Sequence, residues 1–296
     1  MPCLRWACSL LAALLLALPA CGRRPPSSAP SGQPRIAVLS PALAVTLRDL
    51  GLESQIVARH GYDMILPKSL PVVGDQAGID YEALLRADPT HVLLEWGSRD
   101  LPPRLTQLAR ERGWEVRNYP LLTLDDIRAA VRNLPRDLNS PPASARADEL
   151  RARMDQAWKR RPGLRARAGR TLLLYSIDPP AAAGPGSFHA QLLEAIGGEP
   201  AIAEGAPYIT LDAEDIRRMN PDSIVLILPG AEPLAPKERL GRLGTLDLRA
   251  VNDGRVLILN DPLGQTPSTA MIALADDLAR GMLAWPTPAG APMGER

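Results

Sequence analysis

The sequence predicts an α/β protein of two lobes, each a mainly parallel sheet with helices on its faces, joined by one long α-helix with a ligand cleft between the lobes. Three observations predict it. Short apolar runs alternate with amphipathic stretches in β-α-β-α order, the pattern of a parallel sheet covered by helices. The alternation breaks once, at Ser144–Arg161, "SARADELRARMDQAWKRR", a charged stretch with no strand in it. And one phrase is written twice. "DYEALLRADPTHVLLEW" at 80–96 and "DAEDIRRMNPDSIVLIL" at 212–228 align at a constant offset of 132, pairing Asp80 with Asp212, Glu82 with Glu214, Arg86 with Arg218 and Pro89 with Pro221.

The chain has 296 residues, enough for two lobes with real cores. Hydrophobic residues make up 46% and charged residues 23%, as in an ordinary globular protein. The net charge of +1 and the lack of a basic stretch with interleaved aromatics argue against a nucleic-acid partner. The first segment reads as a targeting signal. Arg5 precedes the apolar run Ser9–Pro19, which is shorter than the roughly 20 residues a membrane span needs. "LPAC" at 18–21 then resembles a lipoprotein cleavage site with Cys21 as the lipidated residue, Pro19 standing where a small residue is usual. Cys3 and Cys8 fall inside the signal, so Cys21 is the one cysteine expected in the mature chain. An ordinary signal with a coincidental cysteine is the alternative. The Pro/Ser/Gly-rich stretch 22–34 reads as a tether, and 286–296 as a disordered tail.

The body divides into an N-terminal lobe over 35–141, a linking helix over 142–163 and a C-terminal lobe over 164–285. "RIAVLS" (35–40) is a strand, and "PALAVTLRDLG" (41–51) a helix with Pro at its start and Gly at its stop. "QIVA" (55–58) is a second strand. Asp80 caps the helix "YEALLRA", "HVLLEW" (91–96) is a buried strand, "PPRLTQLARERG" a helix and "WEVRNY" a strand. Thr123 opens the next helix. In the long charged stretch Leu150, Met154, Ala157 and Trp158 make a narrow apolar stripe, and no Gly or Pro interrupts it, so it is one helix packed on one side and stiff. Pro162-Gly163 ends it. "RTLLLYSI" (170–177) is a strand, "PPAAAGPGS" (179–187) a loop, "FHAQLLEAIGG" (188–198) a helix, "DSIVLIL" and "RVLILN" strands, and "PSTAMIALADDLARGM" (267–282) the closing helix.

This ordered set resembles the substrate-binding proteins of ABC importers for vitamin B12, ferric siderophores and haem, the type with two Rossmann-like lobes on one rigid helix. The matching phrases are "RIAVLSPALAVTLRDLGL", "LPVVGD", "DYEALLRADPTHVLL", "GPGSFHAQLLEAIGGEPAI", "YITLDAEDIRRMNPDSIVLI" and "DGRVLILNDPL". The resemblance implies a non-enzymatic, membrane-tethered protein of the periplasm or cell envelope. It would be a monomer that captures a metal chelate and delivers it to a permease dimer with its ATPase; no cofactor is implied. It gives Glu82 and Glu214 a role as docking knobs, one per lobe, for permease arginines. The plainer alternative is that each only favours the positive end of its helix. It brings Pro41, His60, Tyr62, Trp96, Gly97, Ser187, Phe188 and His189 to the cleft. Trp96, at a strand end, is placed to stack on a flat ligand, or else to cap the lobe core. His60, Tyr62 and His189 are candidate axial ligands to a chelated metal, against the reading of each as an ordinary loop residue; His91 reads as structural.

The sequence has no CxxC, HxxxH or acidic metal-binding loop, no GxGxxG after the first strand, no P-loop and no GxSxG elbow. A Rossmann-like enzyme is therefore disfavoured. An envelope lipoprotein with the same fold and a sensory or structural role stays open, because function lives in the site and not in the fold.

Overall fold

The computed structural model describes residues 32–232 and 234–286, so Cys21, its neighbours and the tail 287–296 lie outside the described residues. In chain order the N-terminal half holds β1 (Ile36–Leu39), α1 (Pro41–Asp49), β2 (Ile56–Ala58), β3 (Gly74–Asp75), β4 (Gly78–Ile79), α2 (Tyr81–Ala87), β5 (His91–Leu94), α3 (Pro103–Arg112), β6 (Glu115–Asn118) and α4 (Leu124–Asp137). Next come α5 (Pro141–Ala157) and α6 (Leu164–Ala168). The C-terminal half holds β7 (Arg170–Ile177), β8 (Pro180–Ala183), α7 (Phe188–Ala195), β9 (Glu199–Pro200), β10 (Tyr208–Thr210), α8 (Ala213–Met219), β11 (Ser223–Ile227), α9 (Pro236–Arg239), α10 (Arg249–Asn252), β12 (Val256–Leu259) and α11 (Met271–Leu283).

The first sheet is all parallel, in the order β2-β1-β5-β6. The second is mixed, in the order β10-β8-β7-β11-β12, with β9 also paired to β7. Its β7, β9, β11 and β12 are parallel, and β8 is antiparallel to both of its neighbours, β7 and β10. The run β1-β5-β6 therefore recurs as β7-β11-β12, and the duplicated phrase occupies the same place in both. α2 and α8 each run seven residues from an aspartate N-cap, Asp80 to Ala83 N at 2.9 Å and Asp212 to Asp215 N at 2.7 Å. Each ends on a left-handed residue, Asp88 (φ 47°) or Asn220 (φ 42°), before a proline that cannot continue the helix. Each then delivers the chain into a central strand.

Alternation along the strands sorts their side chains between two faces. In the first sheet Ala37, Val92 and Leu94 pack with α2 and α3, around Leu84 and Leu105. In the second, Leu172, Leu174, Ile224 and Leu226 build a separate core with Ile216 and Leu248. The opposite faces share one core. Ile36, Val38 and Leu93 from the first sheet and Leu173, Val225 and Ile227 from the second join one continuous cluster with α1, α4, α5, α7 and α11. Its connector is the α5 stripe Ala143, Ala147, Leu150, Met154 and Ala157, all buried. Trp158 closes that helix. Its indole N–H donates to Met271 O of α11 at 3.3 Å, and Arg128 of α4 lies 4.5 Å over its ring.

Three expectations need correction. The long helix starts earlier than Ser144, at Pro141, and ends before Arg161, because the Arg161 amide leaves the helix to donate to Ile196 O at 2.7 Å. "PPAAAGPGS" is not all loop: its alanines carry no bulk and pair as β8 between β7 and β10. The closing helix begins at Met271 rather than Pro267, because Ser268 and Thr269 form a turn whose hydroxyls bond elsewhere. Among the described residues no helix is long and apolar enough to cross a membrane.

A core shared by both lobes makes unfolding one event. Wild type should melt in a single calorimetric transition, and Trp158→Ala should lower its unfolding free energy by about 3–5 kcal/mol while keeping it single. Two resolved transitions in wild type would contradict the shared core.

Candidate functional site

In open α/β sheets ligands bind beyond the carboxyl ends of the strands. Here those ends carry the polar and aromatic groups the two lobes have to offer. β1 runs into Ser40, which is 1% exposed and does two jobs. Its hydroxyl oxygen caps α1 by accepting from Leu43 N at 3.1 Å, and its O–H donates to Glu95 Oε2 at 2.7 Å. Glu95 follows β5 directly. It is exposed to solvent, yet burial by its surroundings raises its carboxyl pKa against the lowering effect of Ser40.

Asn118, at the end of β6, fixes the next two residues. Its Oδ1 accepts from Trp96 N at 2.8 Å, and its Nδ2 donates to Gly97 O at 2.8 Å. Gly97 takes φ 65°, a left-handed turn suited to glycine. Trp96 is half-buried against the lobe core, and the Arg99 guanidinium covers one ring face at 4.5 Å. Pro41 is half-buried at the first position of α1.

The C-terminal lobe contributes an aromatic ladder. Phe188 and His189 are 4.0 Å apart between ring centroids, His189 and Tyr175 5.0 Å, and Tyr175 and Tyr208 5.8 Å. It runs from the core outwards: Phe188 and His189 are buried, and Tyr208 is 49% exposed. Burial raises the pKa of Tyr208, and the Glu95 carboxylate raises it further. Glu95 of one lobe is therefore close enough to Tyr208 of the other for its charge to act on the phenol. Burial and then Tyr208 raise the Tyr175 pKa, so both phenols stay neutral donors. Gln265 ties down this edge, its amide Nε2 donating to Ile227 O at 2.6 Å and to Tyr175 O at 3.2 Å.

His189 is the clearest correction to the sequence-based site. Gly264 O can only accept, so at 2.8 Å the His189 Nε2 carries the proton and donates. Nδ1 is then bare and accepts from Tyr175 O–H at 2.9 Å. Both nitrogens are used and the ring is 2% exposed, so it is not placed to be an axial metal ligand. Ser187, 0% exposed, caps α7 through Ala190 N and donates to Gly184 O; Phe188 is core. All three hold the edge in shape without lining it.

His60 and Tyr62 follow β2 in the loop expected. His60 is half-buried, its Nδ1 accepts from Tyr62 N at 3.2 Å, and burial lowers its pKa against Asp75 and Asp63. Tyr62 is 60% exposed. Among the described residues no group of three or more His, Cys, Asp or Glu is placed to hold a metal ion. Glu82 and Glu214 sit at the second position of α2 and α8, both exposed, their ion pairs with Arg86 (3.9 Å) and Arg217 (3.7 Å) long and solvent-bathed. A helix that leads into a parallel strand runs against it, so both glutamates lie toward the carboxyl edges of the sheets. Sequence reasoning missed Ser40, Glu95, Asn118, Tyr175, Tyr208 and Gln265. Glu95 and Asn118 were legible as polar residues at the ends of adjacent apolar runs.

The periplasmic binding protein sequence profile matches residues 36–262. No curated relative matches the chain. Among solved structures, the periplasmic vitamin B12 binding protein BtuF of Vibrio cholerae is similar at 20% identity and TM-score 0.68, covering 84% of this chain and 96% of that one. The periplasmic haem-binding protein RhuT from Roseiflexus sp. RS-1 is similar at 23% identity and TM-score 0.67, over 85% and 98%. An ABC-type Fe3+-hydroxamate transport system protein from Saccharomonospora viridis is similar at 22% identity and TM-score 0.62, over 86% and 94%. At these identities the likeness establishes the two-lobed fold.

The buried His189 makes a pH prediction. Burial depresses its pKa to about 4, against the raising effect of the Gly264 bond. Unfolded, it titrates near 6.5. The stability it contributes is complete above about 6.5 and is lost as pH falls through about 4, roughly 3 kcal/mol in all. Urea unfolding at pH 7 and pH 4 should show a larger acid loss in wild type than in His189→Gln, by about 2–3 kcal/mol. Equal losses would contradict a buried neutral imidazole.

Proposed function

The chain belongs to the periplasmic binding protein family, and on that premise we propose that it captures a metal chelate between its lobes and delivers it to an ABC permease. The chelate class is a corrinoid, a ferric siderophore or haem, the ligands named for the similar structures. The observation that carries this reading is that Glu95, which follows β5 of one lobe and is held by Ser40, lies close enough to Tyr208, at the start of the edge strand β10 of the other lobe, for its carboxylate to raise the phenol's pKa. Apolar side chains support it. Tyr62 and Met64 follow β2, Leu122 follows β6 and Leu234 follows β11, and all are large and exposed. They give the edges apolar lips suited to a broad, flat ligand. Trp96 keeps a stacking role in this reading, with His60 and Tyr62 as the remaining candidates to approach the metal from their exposed loop.

Tethering through a lipid on Cys21, followed by the Pro/Ser/Gly-rich 22–34 stretch, belongs to the same proposal. It places the protein at the cell envelope facing its permease. Glu82 and Glu214 are the docking pair: equivalent, exposed and one per lobe, they are positioned for charge-assisted bonds to a two-subunit partner. The family is one of binding proteins rather than enzymes, and the groups at the edges are arranged for recognition.

Titration with vitamin B12, haemin and a ferric hydroxamate, followed by absorbance and tryptophan fluorescence, tests the reading. At least one should bind saturably at one equivalent with Kd near or below about 1 μM, a free energy of about −8 kcal/mol. No saturable binding of any of the three would overturn it.

The docking pair is tested separately. The Glu82→Ala, Glu214→Ala double variant should bind chelate as wild type does and lose about 0.3–1 kcal/mol of stability per site through the helix dipole. Uptake through its permease in reconstituted vesicles should fail. Wild-type uptake by the double variant would reduce the two glutamates to helix-start residues.

A further inference from the structure

Ser40 and Glu95 put a hydrogen-bonded carboxylate just beyond the carboxyl ends of β1 and β5, and no cation among the described residues is paired with it. Glu95 accepts one hydrogen bond, from Ser40, and among the described residues no Lys, Arg or His reaches salt-bridge distance of it. Arg59 and Arg99, which follow β2 and β5, each donate to a nearby backbone carbonyl, although the buried Arg59 Nε has no partner among the described residues. Arg59 is 8% exposed and donates to the neighbouring His60 O at 3.1 Å. Arg99 lies on the Trp96 ring and donates to Trp96 O. Tyr208, close enough to feel the Glu95 charge, and Tyr175, 5.8 Å from it between ring centroids, are neutral phenols, and Tyr175 has already committed its proton to His189.

We propose that Glu95 is a specificity-determining residue: with Tyr208 it selects chelates whose periphery offers hydrogen-bond donors or positive charge, and disfavours chelates that present carboxylates to it. The inference rests on the proposed function and deepens it by naming the ligand's charge class. The physical reason is desolvation. A ligand binding here strips water from the carboxylate, and the lost hydration must be replaced by a donor on the ligand. An amide N–H, a hydroxyl or an ammonium supplies one. A ligand carboxylate supplies none and adds like-charge repulsion in a place where solvent screening is reduced. Ser40 makes the arrangement preorganised. It is fixed as the cap of α1, and its O–H holds one carboxylate oxygen, leaving the other to face the ligand. The same geometry separates the three ligand classes by charge. Vitamin B12 presents neutral amides, a ferric trihydroxamate presents no free carboxylate, and haem presents two propionates.

The test compares wild type with Glu95→Gln and Glu95→Lys, titrating each with vitamin B12 and haemin at pH 7.5. Gln keeps an oxygen for Ser40 to donate to, so the cap and the fold are retained, and unchanged melting temperature checks this. The readout is the ratio of the haemin Kd to the vitamin B12 Kd. It should fall at least about tenfold in Glu95→Gln, a change of 1.4 kcal/mol, and further in Glu95→Lys. A ratio unchanged in both folded variants would overturn the role of Glu95 and leave the binding function standing. Failure of wild type to bind any of vitamin B12, haemin and the ferric hydroxamate would overturn this inference through the function it rests on; where the hydroxamate binds and vitamin B12 does not, it takes vitamin B12's place in the ratio. Should Glu95→Gln melt early, Glu95→Lys decides by the same ratio, since its charge reversal predicts the larger shift.

Discussion

The apolar stripe of α5 is the constraint on which the rest depends. Ala143, Ala147, Leu150, Met154 and Ala157 are small or flexible enough to let neighbouring helices approach closely, and the cluster they join reaches strands of both sheets. Trp158 adds direction to that burial. Its ring carries an arginine from α4 and its N–H reaches the start of α11, so one side chain touches helices on both sides of the connector. Interlobe hydrogen bonds reinforce the arrangement away from the helix. Thr269 donates to Asp49 Oδ2 at 2.5 Å, and Leu124 N donates to Gln191 Oε1 at 2.9 Å. A hinge would have to break a close-packed core as well as these bonds, and such cores resist continuous deformation.

A fixed frame explains why the facing edges are built as they are. Recognition without large closure requires groups already in position, since ordering them on binding costs affinity. Ser40 orients Glu95, Asn118 clamps Trp96 and Gly97, and Gln265 ties the ends of β7 and β11. His189 spans Tyr175 and Gly264 and so couples the aromatic ladder to the loop after β12. The glutamates at the starts of α2 and α8 stand on the same two edges. A partner gripping both would read a separation that α5 sets.

Much of this was legible in the sequence, for identifiable physical reasons. Aspartate caps, prolines after αL residues and apolar runs are local signals, so α2, α8, β5 and β11 were read in place, and the repeat between them exposed the duplicated lobe. What was less legible depends on distant partners. The end of α5 is decided by a carbonyl in the loop after α7, and β8 by strands it pairs with, neither visible from local composition. The site divides the same way. Glu82 and Glu214 stand out by spacing. His189 looked like a ligand in sequence because its two hydrogen-bond partners, Tyr175 and Gly264, are 14 and 75 residues away. Glu95 was passed over beside the more conspicuous Trp96.

One shared core holds the lobes at a fixed separation. The direct measurement is the distance distribution between spin labels at Arg86 and Arg218, equivalent exposed positions on α2 and α8, in a chain with its native cysteines replaced by serine. Distances are recorded without chelate and with whichever of vitamin B12, haemin or ferric hydroxamate saturates the protein. A shared rigid core gives one narrow distribution whose mean moves by less than about 1 Å on binding. A broad distribution in the free protein, or a closure of several ångströms with ligand, would contradict it.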